Sequence, residues 1–283
     1  MPARFPDRTR VTQPEVTQPQ PNATPSGQLP INESDGGEGW SLGSEYALVS
    51  RRDFFDSAID VRNTDSATEM VSGPALGLFK SWGEGDQFLM VPKPVKVESL
   101  EQALPNLTQE DIARIGQQLG KYLLKRKTAI SQQMEMLDGG PNLDRRLFKP
   151  LPPDTPWEYA VCKSNAGVVA NLMLAITDYV DRPTLISFMA KMPSAEPFVF
   201  SHSDVHEGTV MVKDGNFARL VGWELAGFYP SWWEFVNCCE LLSDHLPKSL
   251  QNQEALEWFR VYHAIRELPT GEATPMLTAY LSK

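Results

Sequence analysis

The sequence predicts an α+β chain in two lobes around one cleft, a small β-rich N-terminal lobe and a larger, mainly helical C-terminal one. Three observations carry this expectation. A length of 283 residues, 41% apolar and 22% charged, suits two packed units with a sizeable core. Short β-like runs dominate residues 38–94. Helical periodicity takes over in residues 95–283, where one strong hairpin signal interrupts it.

Residues 1–37 stand apart from both lobes. They are rich in Pro, Thr, Gln and Asn, and the string VTQP occurs twice, from Val11 and from Val16. Too few large apolar side chains are present to offset the entropy of ordering, so a disordered tail is expected.

In the N-terminal lobe, Tyr46 to Val49 and Phe88 to Val91 are apolar runs of strand type. Gly43-Ser44 and Gly83-Glu84-Gly85-Asp86 read as turns. Thr108 opens the best helix. With Asp111 three positions on it makes a capping box, and Ile112, Ile115, Leu119, Leu123 and Ile130 then fall on one face. Asp138-Gly139-Gly140-Pro141 closes that region. Further helices are expected from about Gly167 to Val180 and from Arg182 to Met192, with Pro183 in a first turn. Phe198 to Phe200 and Val210 to Val212 read as strands. Phe217 to Val221 partners the second across a turn containing Asp214-Gly215, a strong hairpin dipeptide. Trp232 to Leu242 and Glu254 to Ile265 are the last expected helices.

Composition also excludes. A formal net charge of −10 repels phosphate backbones and anionic membranes, so nucleic acid is not expected as a partner. No apolar run approaches the roughly 20 residues of a spanning helix. The N-terminus lacks the apolar stretch of a secretion signal. Cys162, Cys238 and Cys239 form neither a disulfide framework nor a zinc spacing. A reducing, cytoplasmic setting is the expectation.

The segment FSHSDVHEGTVMVKDGNFARLVGWELAGFYPSWWEF, from Phe200 to Phe235, is the most informative in the chain. It resembles the active-site stretch of the aminoglycoside-phosphotransferase-like family, especially its fungal members. Those carry His-Gly-Asp-Leu at a strand end, an Asn five residues after the Asp, a hairpin, then Ile-Ile-Asp-Trp-Glu and a Gly-Tyr/Phe-Pro-x-Trp-Trp-Glu tail. The resemblance extends over Trp40 to Ile265. It implies a two-lobed, protein-kinase-like fold with a reduced N-lobe and a helical C-lobe carrying a catalytic-loop-like hairpin.

Phosphoryl transfer in such a fold rests on four devices: an N-lobe Lys, a catalytic Asp, and an Asn and a second Asp that hold Mg²⁺. The catalytic position is kept as Asp204. The other three are degenerate: Val49 stands at the Lys, Thr209 at the Asn and Gly222 at the metal-binding Asp. Arg51, two residues past Val49, is a possible substitute for the Lys on the same strand face. Ser203 replaces the glycine usual before the catalytic Asp, and His202 corresponds to a His that braces the loop, a structural role. Where relatives present a hinge to adenine, Pro92 and Pro94 each remove an N–H donor. Losing one charge-stabilising group costs roughly 10³–10⁵ in rate, about 4–7 kcal/mol of barrier. ATP and Mg²⁺ binding are therefore expected to be lost or weak, with no metal site.

The expected function is a repurposed small-molecule enzyme of fungal secondary metabolism. It would catalyse an isomerisation, elimination or cyclisation, or a cycloaddition, of an apolar substrate in the cleft between the lobes. Asp204 and His206 are the candidate acid–base pair, and Trp223, Glu224, Phe228 and Tyr229 the candidate substrate contacts. A non-catalytic pseudokinase scaffold and a residual ATP-dependent phosphotransferase are the alternatives.

Overall fold

A computed structural model describes residues 37–42, 46–52, 63, 78–84, 87–92, 97–137, 139–142, 144, 146–148, 161–269 and 272–282. The tail assigned to 1–37 lies outside these except for Gly37. So do the turn at Gly43-Ser44 and the hinge residues Lys93 to Lys96.

Four strands form the N-terminal sheet: β1 (Gly37–Leu42), β2 (Tyr46–Arg52), β3 (Leu78–Glu84) and β4 (Gln87–Pro92). They lie in the order β1-β2-β4-β3, all antiparallel. Two are the strands expected from Tyr46 and Phe88. Gly83 and Glu84, expected in a turn, end β3 instead. Leu89 and Val91 are buried two residues apart, so they share one face of β4. Val49 stands opposite Met90 and Gly39.

A second sheet sets β10 (Asn216–Leu220) beside β9 (Val210–Lys213), with a two-residue strand on the far side of β9. Its edge strand β5 (Glu98–Ser99) runs straight into α1 (Leu100–Ala103), where Ser99 and Gln102 make a capping box. Thr108 then caps α2 (Gln109–Arg126). Its hydroxyl accepts the Asp111 N–H at 3.2 Å, and the Asp111 carboxylate accepts the Thr108 N–H at 2.9 Å. Glu110 and Asp111 sit in the first turn and Lys125 and Arg126 in the last, the charge order the helix dipole favours. Ile112, Ile115, Leu119 and Leu123 are buried as expected. Ile130 is not, and the expectation is corrected. The helix stops at Arg126, and Ile130 lies on β6 (Ile130–Ser131) with 62% of its surface exposed.

The third sheet, β6-β8-β11-β7, is built on β8 (Phe198–Ser201), which is buried along its whole length. Beside β8 run β11 (Gly227–Pro230) and β6, with β7 (Glu135–Met136) beyond β11. The hairpin of β9 (Val210–Lys213) and β10 (Asn216–Leu220) turns at Asp214 (φ +49°) and Gly215 (φ +67°). Positive φ at both positions matches the twist of the strands they join.

Two helices start where capping signals place them. Ser164 caps α3 (Asn165–Ile176), and Asp181 caps α4 (Arg182–Met189) with Pro183 in its first turn. The single helix expected over Trp232 to Leu242 is two pieces, α5 (Trp233–Val236) and α6 (Glu240–Ser243). Cys239 interrupts it with extended backbone (φ −55°, ψ 145°), and its N–H goes to Val205 O at 2.9 Å. The loop after β8 thus takes a hydrogen bond that a continuous helix would have kept. α7 (Gln253–Glu267) matches the expectation, and α8 (Ala273–Leu281) adds a helix the sequence reading did not contain.

Two hydrophobic cores result. One gathers α3, α4, α7 and α8 around Trp232, Trp233 and Trp258. The other packs α1, α2 and α6 on β8 to β10 around Trp223. Phe228 and Val236 touch both cores. No described helix is long and apolar enough to cross a membrane.

Candidate active site

The site is the loop from His202 to Thr209, between the buried end of β8 and the hairpin. Burial sets the state of His202. Its ring meets the edge of Trp223 at 4.4 Å between centroids, and Nε2 lies 3.0 Å from Val221 O. A carbonyl only accepts, so Nε2 carries the proton and Nδ1 accepts the Asp204 N–H at 3.2 Å. Desolvation pushes the imidazole down to about 4, against the opposing charge of Asp204, so it is neutral. The His202 N–H donates to Glu234 Oε2 at 2.6 Å. His202 thus ties the loop to Val221, Asp204 and Glu234.

Ser203 adopts φ +68°, the left-handed region that favours glycine. Four hydrogen bonds hold it there. Its hydroxyl donates to Asp144 Oδ2 at 2.8 Å and accepts the Trp233 indole N–H at 2.8 Å, while its carbonyl takes bonds from Arg146 and Asn237. A serine at the glycine position is tolerated because its side chain is used.

Asp204 reaches the surface, one third exposed. Oδ1 takes a bond from Arg146 Nη1 at 3.0 Å, and Oδ2 lies 3.6 Å from His206 Nε2. Burial by itself would raise the carboxyl. The facing His206 imidazole and the Arg146 charge outweigh it and hold the group below its ordinary range. Reciprocally, the facing Asp204 carboxylate raises His206, whose Nδ1 accepts the Gly208 N–H at 3.1 Å. The two candidate acid–base residues are therefore together, half of the His206 side chain is exposed, and Asp204 is ionised.

Arg146 is the residue the sequence reading missed. Its guanidinium forks onto Asp144, with Nε to Oδ1 at 2.9 Å and Nη2 to Oδ2 at 2.8 Å, before reaching Asp204. Asp144 is 1% exposed. Arg-carboxylate spacing of two in a loop has no sequence signature, so only tertiary contact reveals it. Asn63 was missed as well. From the segment between β2 and β3 it donates to Trp223 O at 2.7 Å, 160 positions away.

The candidate substrate residues separate. Trp223 and Tyr229 have no exposed surface. Trp223 is packed by Phe200, His202 and the Arg126 guanidinium. The Tyr229 hydroxyl donates to Leu225 O at 2.7 Å, and its ring stacks on Trp233. Both rings are core, and neither offers a face to a ligand in this arrangement. Glu224 and Phe228 are half-buried, and Phe228 stands edge-on to Phe200.

The residues that the resemblance sets at metal positions, Thr209 and Gly222, do not fit Mg²⁺. The Thr209 hydroxyl donates to Asp204 O at 2.6 Å and accepts the His206 N–H at 3.0 Å, so it is spent on the loop's own backbone. Gly222 supplies no donor, and at φ +78° a Cβ would stand 3.2 Å from Thr209 Cγ2 and 3.4 Å from Glu224 Oε2. Among the described residues no three His, Cys, Asp or Glu side chains converge as a ligand set. Hard oxygen ligands, mostly carboxylates, are what Mg²⁺ requires.

A buried strand delivering an Asp-bearing loop, a hairpin behind it and a helical lobe beneath define a kinase-like, phosphotransferase-type architecture. Residues 81–271 match the phosphotransferase enzyme family named APH, and the chain belongs to that family. Among solved structures it is similar to a thermostable mutant of aminoglycoside phosphotransferase APH(4)-Ia in ternary complex with AMP-PNP and hygromycin B. The TM-score is 0.54 at 10% identity, over 91% of this chain and 92% of that one. The apo form of that enzyme gives 0.53 at 10% identity, over 91% and 93%. At that identity the likeness defines the fold. No curated protein matches the chain.

Proposed function

We propose that this family member does not transfer phosphate and instead converts an apolar small molecule at the Asp204–His206 pair. The observation that carries the reading is the state of Asp204. Its carboxylate is engaged by Arg146 at 3.0 Å and faced by His206 at 3.6 Å, while Thr209 and Gly222 leave it without metal partners. A partly exposed carboxylate held ionised beside an imidazole can accept a proton and stabilise developing positive charge. Isomerisation, elimination and cyclisation of an apolar substrate need those two services and a shaped cleft. Half-buried Phe228 supplies apolar surface near the loop, and the family fold supplies the cleft between its lobes. The fungal, secondary-metabolic setting is part of this proposal and rests on the resemblance of the Phe200–Phe235 segment. The cytoplasm is the setting proposed for it.

The test is nucleotide binding followed by mutation. A ligand at about 100 times its Kd stabilises by roughly 2.7 kcal/mol. Millimolar Mg-ATP is expected to leave the melting temperature unchanged; a shift abolished by EDTA overturns the reading. Once a substrate is found by screening, Asp204→Asn is expected to abolish turnover and leave the fold intact. Unchanged turnover in that variant would assign the chemistry to shape alone.

A further inference from the structure

Asp204 keeps the position that serves metal-dependent chemistry in this fold, yet a side-chain cation lies against it. We propose that Arg146 is a built-in counter-charge that holds the Asp204 carboxylate and keeps a divalent metal from binding there, fixed in place by Asp144. The inference deepens the non-phosphorylating reading of the same site by assigning its missing positive charge.

The geometry is that of an anchored group. On one side the guanidinium is forked onto the buried Asp144 carboxylate by two bonds, 2.9 and 2.8 Å, and it also donates to Ser203 O. Asp144 is itself fixed, accepting the Arg146 N–H at 2.9 Å and the Ser203 hydroxyl at 2.8 Å. The Arg146 carbonyl in turn accepts a bond from Arg266 at 2.7 Å. On the other side Nη1 meets Asp204 Oδ1 at 3.0 Å, where the carboxylate is one third exposed. An arginine fork held at one carboxylate by two bonds presents its remaining N–H groups in a set direction. It therefore acts on Asp204 as a fixed charge that orients one oxygen and leaves Oδ2 facing His206.

Charge explains why such a residue excludes a metal. A divalent ion at Oδ1 would stand beside a guanidinium that cannot swing away without stripping Asp144 of the cation forked onto it, and a buried carboxylate tolerates that poorly. Conversely, taking the guanidinium away leaves the Asp144 and Asp204 carboxylates and Ser203 O around one gap. These are hard oxygen donors, the set a divalent cation prefers.

Mn²⁺ alone, without nucleotide, is the probe, read by electron paramagnetic resonance on the full chain and by melting temperature. The unmodified protein is expected to leave Mn²⁺ free at about 1 mM, as is Arg146→Lys, which keeps a cation. Arg146→Ala is expected to bind Mn²⁺ at least ~10-fold more tightly and to gain melting temperature from it. Equal Mn²⁺ affinity in the unmodified protein and in Arg146→Ala overturns the proposal, as does a folded Arg146→Ala that ignores Mn²⁺. Arg146→Met keeps more of the apolar stem and serves as a second variant. If neither variant folds with or without Mn²⁺, the arginine is a structural anchor only and the proposal falls. The two readings fail separately: phosphoryl transfer from ATP without added metal, with Mn²⁺ still excluded, would sink the non-phosphorylating reading and leave this one standing.

Discussion

Replacing Glu234 with glutamine should expose a pH dependence that two buried groups now cancel. Glu234 Oε2 accepts the His202 N–H at 2.6 Å, while Oε1 is buried without a hydrogen-bond partner. Burial pushes the carboxyl up from 4.5 to about 7. A raised folded-state pKa means that the native protein holds the proton more tightly than the unfolded chain. Its contribution is therefore full below pH 4.5 and is lost as pH rises through about 7. At about 1.4 kcal/mol per pH unit that interval corresponds to about 3 kcal/mol. His202 runs the other way. It is pushed down from 6.5 to about 4, so its contribution is full above pH 6.5 and is lost as pH falls to about 4. Between about pH 4.5 and 6.5 the two slopes oppose one another and stability is nearly flat. Glu234→Gln keeps an acceptor for the His202 N–H and removes one titration. Denaturant midpoints measured by tryptophan fluorescence from pH 4.5 to 8 should show the variant gaining on the parent by about 3 kcal/mol across that range. The constant cost or benefit of the new amide cancels in this difference. A gap that stays constant with pH would refute the assignment of a raised pKa to Glu234.

Other outcomes follow from the same geometry. Gly222→Asp combined with Thr209→Asn should not yield ATP turnover, because residue 222 sits at φ +78° and Arg146 still occupies Asp204. A side chain at that φ costs about 1–2 kcal/mol, readable as a lower melting temperature, and appreciable phosphorylation of any acceptor would count against the reasoning. Cys239 should react first with a limiting alkylating agent. Its half-buried thiol is lowered chiefly by the adjacent Cys238 thiol, whereas Cys238 and Cys162 are buried and raised; peptide mapping by mass spectrometry decides the order. Removing residues 1–36, which precede β1, should leave the melting temperature unchanged, and a shortened chain that fails to fold would contradict that.

Much of the scaffold was legible because its signals are short-range. The Thr108–Asp111 box, the Asp214-Gly215 turn and the Arg182-Pro183 helix start each involve residues within three positions, and each stands where the sequence places it. Periodicity likewise marked Ile112, Ile115, Leu119 and Leu123 as a buried face. It failed at Ile130, where Ala129 donates its N–H to Arg126 O and the chain leaves the helix axis. It failed again at Trp232 to Leu242, an apolar run split by Cys239 bonding to Val205. Trp223 and Tyr229 show the same limit from another side. An aromatic near a catalytic loop reads alike whether it lines a pocket or fills a core, and here both fill the core.

The sequence by itself determined the family fold, the position of Asp204 two residues before His206, and the presence of a hydroxyl at Thr209 and no side chain at Gly222. These are statements about which groups exist at which spacing. Only the tertiary structure decided what surrounds Asp204. Arg146 reaches it across 58 positions, Asn237 reaches Ser203 across 34, and Asn63 reaches Trp223 across 160. The charge, orientation and ionisation of a carboxylate depend on distance in space. Chain separation carries no information about distance in space until the cores have packed.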